Sequence, residues 1–402
     1  MKYSILPALA AALLAFTFCG NGDYEEWNGG GGNTTPDSGN TEKEETATDR
    51  WAALADSCTT VLIDNFFDRT TGTFWSSVRD TEHSSTYIYW QQAHAMDVLL
   101  YHYQRIKDSS PEQAKTYLEY FRKWYENDAN NYNNDYDSVG EYGGFYNVWT
   151  DDMAWICLTL LRMTEFTGVE KYADTAREVY DNYIWTRSTK CSKGVCLPWT
   201  NRDEDKENFN ACTNTPSCLV AALLYNKYKE RKYLDNALAL YEFNINNMPD
   251  AERVEEPPLS YTQGTFAEAA RVLYHITGEK SYMEKAAQVL VYCLTGNRTT
   301  SNGVLRHEGE NMDQSIFKAV FVPYAVNYVL DSDADSAKAL TIKELLLKNA
   351  ETLDKHLDRS QYPSMFCSYY WGDTVAKGQT VSMGAQASGA SLMENIARMT
   401  AK

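Results

Sequence analysis

From Trp51 onward the chain alternates between two kinds of apolar segment, and this alternation constrains the fold more than any other feature. One kind carries a single apolar stripe. In 112–125 the stripe is Ala114, Tyr117, Leu118, Phe121, Trp124 and Tyr125; in 170–184 it is Tyr172, Ala173, Ala176, Val179, Tyr180, Tyr183 and Ile184. A spacing of three to four marks a helix with one wet face. The other kind, as in 153–166, 219–225, 266–276 and 317–330, is apolar on nearly all sides, which a helix tolerates only when it is buried all round. Counting gives six striped helices, each followed by a more apolar one: 51–67 with 88–104, 112–127 with 152–166, 170–184 with 216–229, 233–246 with 263–276, 281–295 with 315–330, and 335–355 with 382–398. The simplest closed arrangement is an inner ring of six helices inside an outer ring of six, an all-α six-hairpin (α/α)6 barrel. Pro323 falls inside a predicted inner helix and is expected to kink it or end it early. No strand signal is long enough to matter.

The connections in such a barrel are unequal. Those from an inner to an outer helix are short turns with a glycine available as helix C-cap, as in Thr167-Gly168-Val169 and Thr277-Gly278-Glu279-Lys280; Tyr228 to Tyr233 is a looser copy. Those from an outer to an inner helix are long, near 68–87, 128–150, 185–215, 247–262, 296–314 and 356–381. All six long connections fall on one face, where every inner helix also begins. Long loops gathered on a rigid scaffold commonly build a binding site.

Asp151 and Asp152 open one of these inner helices, in Val148-Trp149-Thr150-Asp151-Asp152-Met153-Ala154-Trp155. Asp in the first turn of a helix also serves orphan amides and the helix dipole, which is the plain reading of the pair taken alone. Placed on the loop-bearing rim between tryptophans, the pair also supplies two carboxyls, the minimal kit for cleaving a glycosidic bond. Around it, Trp90, Gln91 and His94 lie at the start of another inner helix, where Gln91 and His94, three apart, share a face; His94 also reads as a hydrogen-bonded core residue. Trp149 and Trp199 are candidate stacking platforms. Asn210 and Gln263 precede inner helices and offer amides to sugar hydroxyls, although Asn in that place is also a cap. Glu308, Glu310 and Asp313 form a further acidic cluster on a long loop, most simply solvated.

Composition narrows the partners. A net charge of −18 argues against nucleic acid, whose binding rests on basic side chains, but does not repel a neutral glycan. The 29 Tyr and 10 Trp suit both a large core and the C–H faces of sugars. Residues 1–19 read as a secretory signal ending at Cys19, with a lipoprotein-type processing site; 20–49 is a polar acidic tether; 50–402 is the catalytic domain. These features predict a monomer held outside the cytoplasm, on the bacterial outer membrane at the cell surface or in the periplasm, and touching the membrane only through a lipid on Cys19. Of the other eight cysteines, Cys191 with Cys196 and Cys212 with Cys218 are spaced to close small disulfides. No zinc spacing, P-loop or dinucleotide fingerprint occurs, so neither metal nor cofactor is expected.

The chain also resembles glycoside hydrolase family 76, the bacterial α-1,6-mannanases, through about residues 51–398. The matching residues are Tyr89 to Asp97, Trp149 to Trp155, Asn210 to Asn214, Tyr261 to Phe266 and Phe317 to Val322, with 194–199 a degenerate copy of a Gly-rich segment ending in Trp. The resemblance implies the same barrel and a retaining, endo-acting hydrolysis of α-1,6-mannan, with Asp151 as nucleophile and Asp152 as acid/base. A helix N-terminus favours the anion a nucleophile needs; a like charge next door and desolvation by Trp149 or Trp155 raise the pKa an acid needs. Departures in 194–199 and around Cys212 bear on the sugar subsites. Two other readings stand beside this one: a surface glycan-binding protein without turnover, and a related α/α-barrel glycosidase or transglycosylase, including one acting on uronates with Arg187, Arg202 or Arg306 in the cleft.

Overall fold

In the computed structural model the described residues are 47–79, 82–84, 90–131, 145–357, 359 and 365–401. They lie in the second of two units into which the chain divides, Glu45–Lys402. The signal segment, Cys19 and nearly all of the tether fall outside the described residues. Among the described residues there are twelve α-helices: α1 (Ala47–Phe66), α2 (Trp90–Ile106), α3 (Pro111–Asn131), α4 (Thr150–Thr167), α5 (Glu170–Val179), α6 (Ala211–Tyr228), α7 (Arg231–Asn247), α8 (Ser260–Thr277), α9 (Lys280–Thr295), α10 (Met312–Leu330), α11 (Ser336–His356) and α12 (Met383–Thr400). None of them is long and apolar enough to cross a membrane.

The even-numbered helices pack in a closed ring, α2 to α4, α6, α8, α10, α12 and back to α2, and the odd-numbered helices lie outside it. Burial follows the two sequence patterns. Every residue of α4 from Thr150 to Leu161 is buried, whereas α5 buries only Tyr172, Ala173, Ala176 and Val179. Backbones approach closely where the sequence allows: a Cβ on Gly264 of α8 would meet Phe321 Cα of α10 at 2.8 Å. The repeated short turns cap as expected. Gly168 (φ 74°) and Gly278 (φ 76°) take the left-handed conformation and donate their N–H to Thr164 O and Tyr274 O. Lys229 does the same at φ 57°, so the loosest copy of the repeat keeps the geometry without the glycine. Among the described residues, strands are two or three residues long and lie in the long connections, as short hairpins and one three-stranded sheet in which 381–382 pairs with 77–79.

Two expectations change. Pro323 does not end α10, which runs to Leu330. A proline cannot donate to the carbonyl four residues back, and that carbonyl, Ala319 O, accepts instead from Ser391 Oγ of α12 at 3.0 Å. The inner helix predicted to begin at 216 begins at Ala211, with Pro216 inside it. Cys212 and Cys218 therefore share one rigid helix. Six residues rise about 9 Å along its axis, which rules out a disulfide between them. Cys218 instead donates to Ala237 O of α7. In the 189–196 hairpin Cys191 lies opposite Gly194 and Cys196 opposite Thr189, and both are free thiols.

Candidate active site

The long connections are fastened to the barrel by amide side chains in the first turns of inner helices. Gln92 of α2 accepts from Phe74 N at 2.9 Å and donates to Phe74 O at 3.0 Å. Asn214 of α6 does the same to Leu197, at 2.8 and 3.0 Å. Gln263 of α8 accepts from Val254 N at 3.3 Å, and Gln386 of α12 from Cys367 N at 2.9 Å. Each amide imitates a strand partner for the connection that precedes its helix. Gln263 is accordingly fully buried in a structural role and does not reach the cleft, a correction to its place among the sugar-binding candidates.

The entry to α4 is built by the connection between α5 and α6. Trp149 is extended (φ −85°, ψ 125°) and bridges to Thr200, and Thr150 N donates to Trp199 O at 2.8 Å. Arg187 clamps the same turn, donating to Val148 O at 2.7 Å, Asn147 O at 2.9 Å and Thr150 Oγ1 at 3.0 Å. This stitching sets the first turn of α4 in place and delivers Trp199 to the acidic pair. Trp199 Nε1–H donates to Asp151 Oδ2 at 3.1 Å.

Asp151 and Asp152 open onto a cleft of about 460 Å³. Its lining comes from the starts of five inner helices and the connections before them: Trp90 of α2; Asp151, Asp152 and Trp155 of α4; Cys212 of α6; Tyr261 of α8; Asp313 and Phe317 of α10; and Trp149, Trp199, Asn208 and Asn210. Its aromatic wall is continuous. Tyr261 stacks on Phe317 with centroids 4.0 Å apart and planes 11° apart; Trp90 lies 6.0 Å from Phe317, and Trp155 5.8 Å from Tyr261. Such faces suit the C–H surfaces of sugar rings. A larger cavity, about 1050 Å³, is an open groove between α9 and α11, away from the inner-helix starts and from the acidic pair.

Both carboxyls are pushed above the ordinary aspartate range, and in both the largest cause is burial. Asp151 reaches about 7, because the Cys212 thiol, the Trp199 indole and the first-turn amides of α4 hold back part of the rise. Asp152 is pushed well up by burial and then by the charge of Asp151; its one side-chain donor is Asn147 Nδ2, at 3.0 Å. The helix N-terminus thus does not keep Asp151 in the ordinary range, as its position in sequence suggested, since burial outweighs it. The two titrate as a pair that holds a proton near neutrality, with Asp152 the better proton carrier and Asp151 the better-supported anion.

The remaining candidates divide. Trp90, Trp149, Trp199 and Asn210 line the cleft. Asn210 is also the N-cap of α6, accepting from Thr213 N at 2.9 Å. Gln91 and His94 do not line it. Gln91 is buried and donates to Asp313 Oδ1 at 2.5 Å, so it positions that acid. His94 is 3% exposed, wedged edge-on against Trp90 and Trp155, with Nδ1 3.4 Å from Asp97. Burial pushes its pKa down, so it is a neutral core residue. Asp313, read from sequence as solvated, instead lines the cleft and accepts from Trp90 Nε1 at 2.8 Å. The inner helix starts at Met312, three residues before the start at 315 read from sequence, so an acid of its first turn read as a loop acid. Among the described residues no Lys or Arg is part of the cleft lining, and Arg202 lies 5.0 Å from the ring of Trp149, which is. Among the described residues one trio, His275, Asp331 and Asp333, brings three potential metal ligands within 4.8 Å, at the ends of inner helices remote from the cleft. There Arg271 already occupies Asp331 Oδ2 at 2.7 Å.

Residues 50–402 match the family model of glycosyl hydrolase family 76. A search of curated protein sequences returns no match. Among solved structures, the chain is similar to the α-1,6-mannanase GH76A from Salegentibacter sp. HEL1_6, with 24% identity over 87% of this chain and 99% of that one and a TM-score of 0.71. An inactive variant of that enzyme, with two consecutive aspartates replaced by alanine and in complex with α-1,6-mannotetrose, aligns with a TM-score of 0.73 at the same identity and coverage. A family 76 mannosidase from Bacteroides thetaiotaomicron VPI-5482 aligns with 18% identity over 87% of this chain and 98% of that one, at a TM-score of 0.67.

Proposed function

The chain belongs to glycosyl hydrolase family 76, a hydrolase family with the six-hairpin barrel, and on that premise we propose that it cleaves internal α-1,6-mannosidic bonds of α-mannan at the cleft holding Asp151 and Asp152. The observation that carries the reading is this pair itself. Two consecutive carboxyls, both displaced upward, open onto a cleft with an aromatic wall and no cationic lining among the described residues. A module that only binds glycan gains nothing from keeping two buried acids there. The α-1,6-mannotetrose held by the inactive Salegentibacter variant supports the choice of glycan.

In the proposed mechanism Asp152 gives its proton to the glycosidic oxygen as the bond to the anomeric carbon breaks. Asp151 attacks that carbon as the carboxylate. Water, deprotonated by Asp152, then releases the sugar from Asp151. Consecutive residues have Cα atoms about 3.8 Å apart, and Asp152 feels the charge of Asp151. Direct attack by Asp151, with no water activated between the two carboxyls, would give net retention. Trp90, Trp155, Tyr261 and Phe317 form the wall on which sugar rings pack; Asn210 and Asp313 offer polar atoms to hydroxyls.

Product analysis tests this reading. Linear α-1,6-mannan is expected to give a ladder of manno-oligosaccharides, while β-1,4-mannan stays intact. Mannose alone from the chain end would replace endo with exo action, and longer products from tetrasaccharide would indicate transglycosylation. ¹H NMR of the first anomer released is expected to show the α form; the β form would make Asp151 a general base. We further propose that the enzyme is a monomer displayed outside the cytoplasm through a lipid on Cys19. Mass spectrometry of the native amino terminus checks the anchor.

A further inference from the structure

The hydrolysis proposed above leaves one polar group of the cleft unused. Cys212 is the second residue of α6, half-buried beside Asp151. Its Sγ lies 3.5 Å from Asp151 Oδ2 and 3.1 Å from Asn210 Oδ1. A thiol has a single proton, so it serves one of these oxygens at a time. Each oxygen also has a fixed donor: Thr213 N on Asn210 Oδ1 at 2.9 Å, and Trp199 Nε1 on Asp151 Oδ2 at 3.1 Å. Asp151 Oδ1 is buried and has no protein hydrogen-bond partner, so support for the anion converges on Oδ2.

We propose that Cys212 is a positioning residue for the hydrolytic reaction, its S–H turning from Asn210 Oδ1 to Asp151 Oδ2 when Asp151 is charged and back again when that charge is consumed. The inference rests on the reading of Asp151 as the attacking carboxylate. A charged acceptor draws the proton more strongly than an amide oxygen does. When Asp151 is joined to the sugar its charge is gone, and the thiol returns to Asn210 without any movement of backbone. The thiol acts as a donor and not as a nucleophile. Burial and the nearby Asp151 and Glu255 hold its pKa well above the usual thiol range, and the nucleophilic form is the thiolate. The titratable groups around Asp151 are Asp152 on α4, Cys212 on α6, Tyr261 on α8, which also meets Cys212, Glu255 in the connection before α8, and Asp313 on α10. None of these is a cation, and loss of the S–H removes one of two side-chain donors from the anion.

The test uses the full chain with α-1,6-mannotetraose. Cys212→Ala is expected to lower kcat about tenfold with KM within about twofold, and to move the acid limb of the pH profile to higher pH. Cys212→Ser, which keeps a donor, is expected to return the limb toward its wild-type position. An alanine profile that overlays wild type overturns the proposal. So does a serine variant whose limb stays with alanine, which would mean a packing role. A second measurement is independent of turnover. The infrared S–H stretch that is lost in Cys212→Ser should shift to lower frequency in wild type as pH rises through the ionisation of Asp151. A band that does not move overturns the proposal even if the chain proves inactive on mannan, an outcome that would defeat the functional reading separately.

Discussion

Two sets of buried carboxyls occupy the same inner ring and behave in opposite ways. In the half of the barrel away from the cleft, Glu394 of α12 is completely buried, and burial alone would raise its pKa; His102 and Arg105 pull it down to about 2. Its oxygens take Thr59 Oγ1 at 2.7 Å, His102 Nδ1 at 2.7 Å and Arg105 Nε at 2.8 Å, tying α1, α2 and α12 together. Asp97 is likewise held below the ordinary range against burial, chiefly by Arg162 at 2.5 Å. At the mouth, Asp151 and Asp152 are buried to a similar degree, yet their donors are an indole, a thiol, an amide and backbone N–H groups. Burial therefore does not distinguish a structural acid from a functional one. In these four residues the difference is whether a cation stands beside the acid.

The largest effect expected from this contrast is on stability at the closed half. Glu394→Gln leaves buried donors facing no charge and should cost about 3–5 kcal/mol, toward the lower end because Arg105 keeps Asp56 at 2.6 Å. Urea unfolding at pH 7 measures it; a loss too small to detect would remove the structural side of the comparison. The pH dependence follows with its sign. The folded value of Glu394 lies below its ordinary 4.5, so the stability it confers is complete above 4.5 and is lost as pH falls toward 2. Melting temperature in that window should fall less steeply in the Gln variant than in wild type.

At the mouth the sign reverses. Asp151 holds its proton in the fold up to about 7, against 3.8 ordinarily, so the folded state binds more protons between these values and stability falls as pH rises through them. Asp151→Asn should therefore be more stable than wild type at pH 7–8, by on the order of 1–3 kcal/mol, with the gain vanishing near pH 4. Thermal melts across that range check it, and a destabilised variant at pH 8 would contradict the comparison.

Smaller effects sharpen it. Trp199→Phe keeps the ring and removes the indole donor to Asp151; kcat/KM should drop about tenfold with little change in melting temperature. Ser391→Ala strips the neutral donor from Ala319 O beside Pro323 and should cost about 1 kcal/mol without touching activity, as read by denaturant midpoint and turnover on one preparation.

The barrel was legible in the sequence because a helix buried on all sides must lack a polar face, and 153–166 and 317–330 lack one. The acidic pair was legible because the unequal connections put every inner-helix start on one rim. Several finer assignments were not, for one physical reason: a polar side chain at that rim has two possible clients. Gln263 and Asn214 have the composition of sugar contacts, but their amides are taken by the main chain of the preceding connection. His94 shares a helical face with Gln91, yet it is sealed between two tryptophans. Asp313 resembled a solvated loop acid until Trp90 and Gln91, distant in sequence, closed around it. Local pattern tells which end of a helix a residue occupies, and tertiary packing decides what it faces there.

Turnover of α-1,6-mannotetraose, followed by ¹H NMR with wild type and with the double variant Asp151→Asn, Asp152→Asn, bears most directly on the claim that the cation-free acids do the chemistry. New reducing-end signals should grow with wild type and be absent, at least 10²- to 10⁴-fold slower, with a double variant that melts no lower than wild type. Equal rates in the two proteins, or an intact tetrasaccharide after long incubation with wild type, would contradict it.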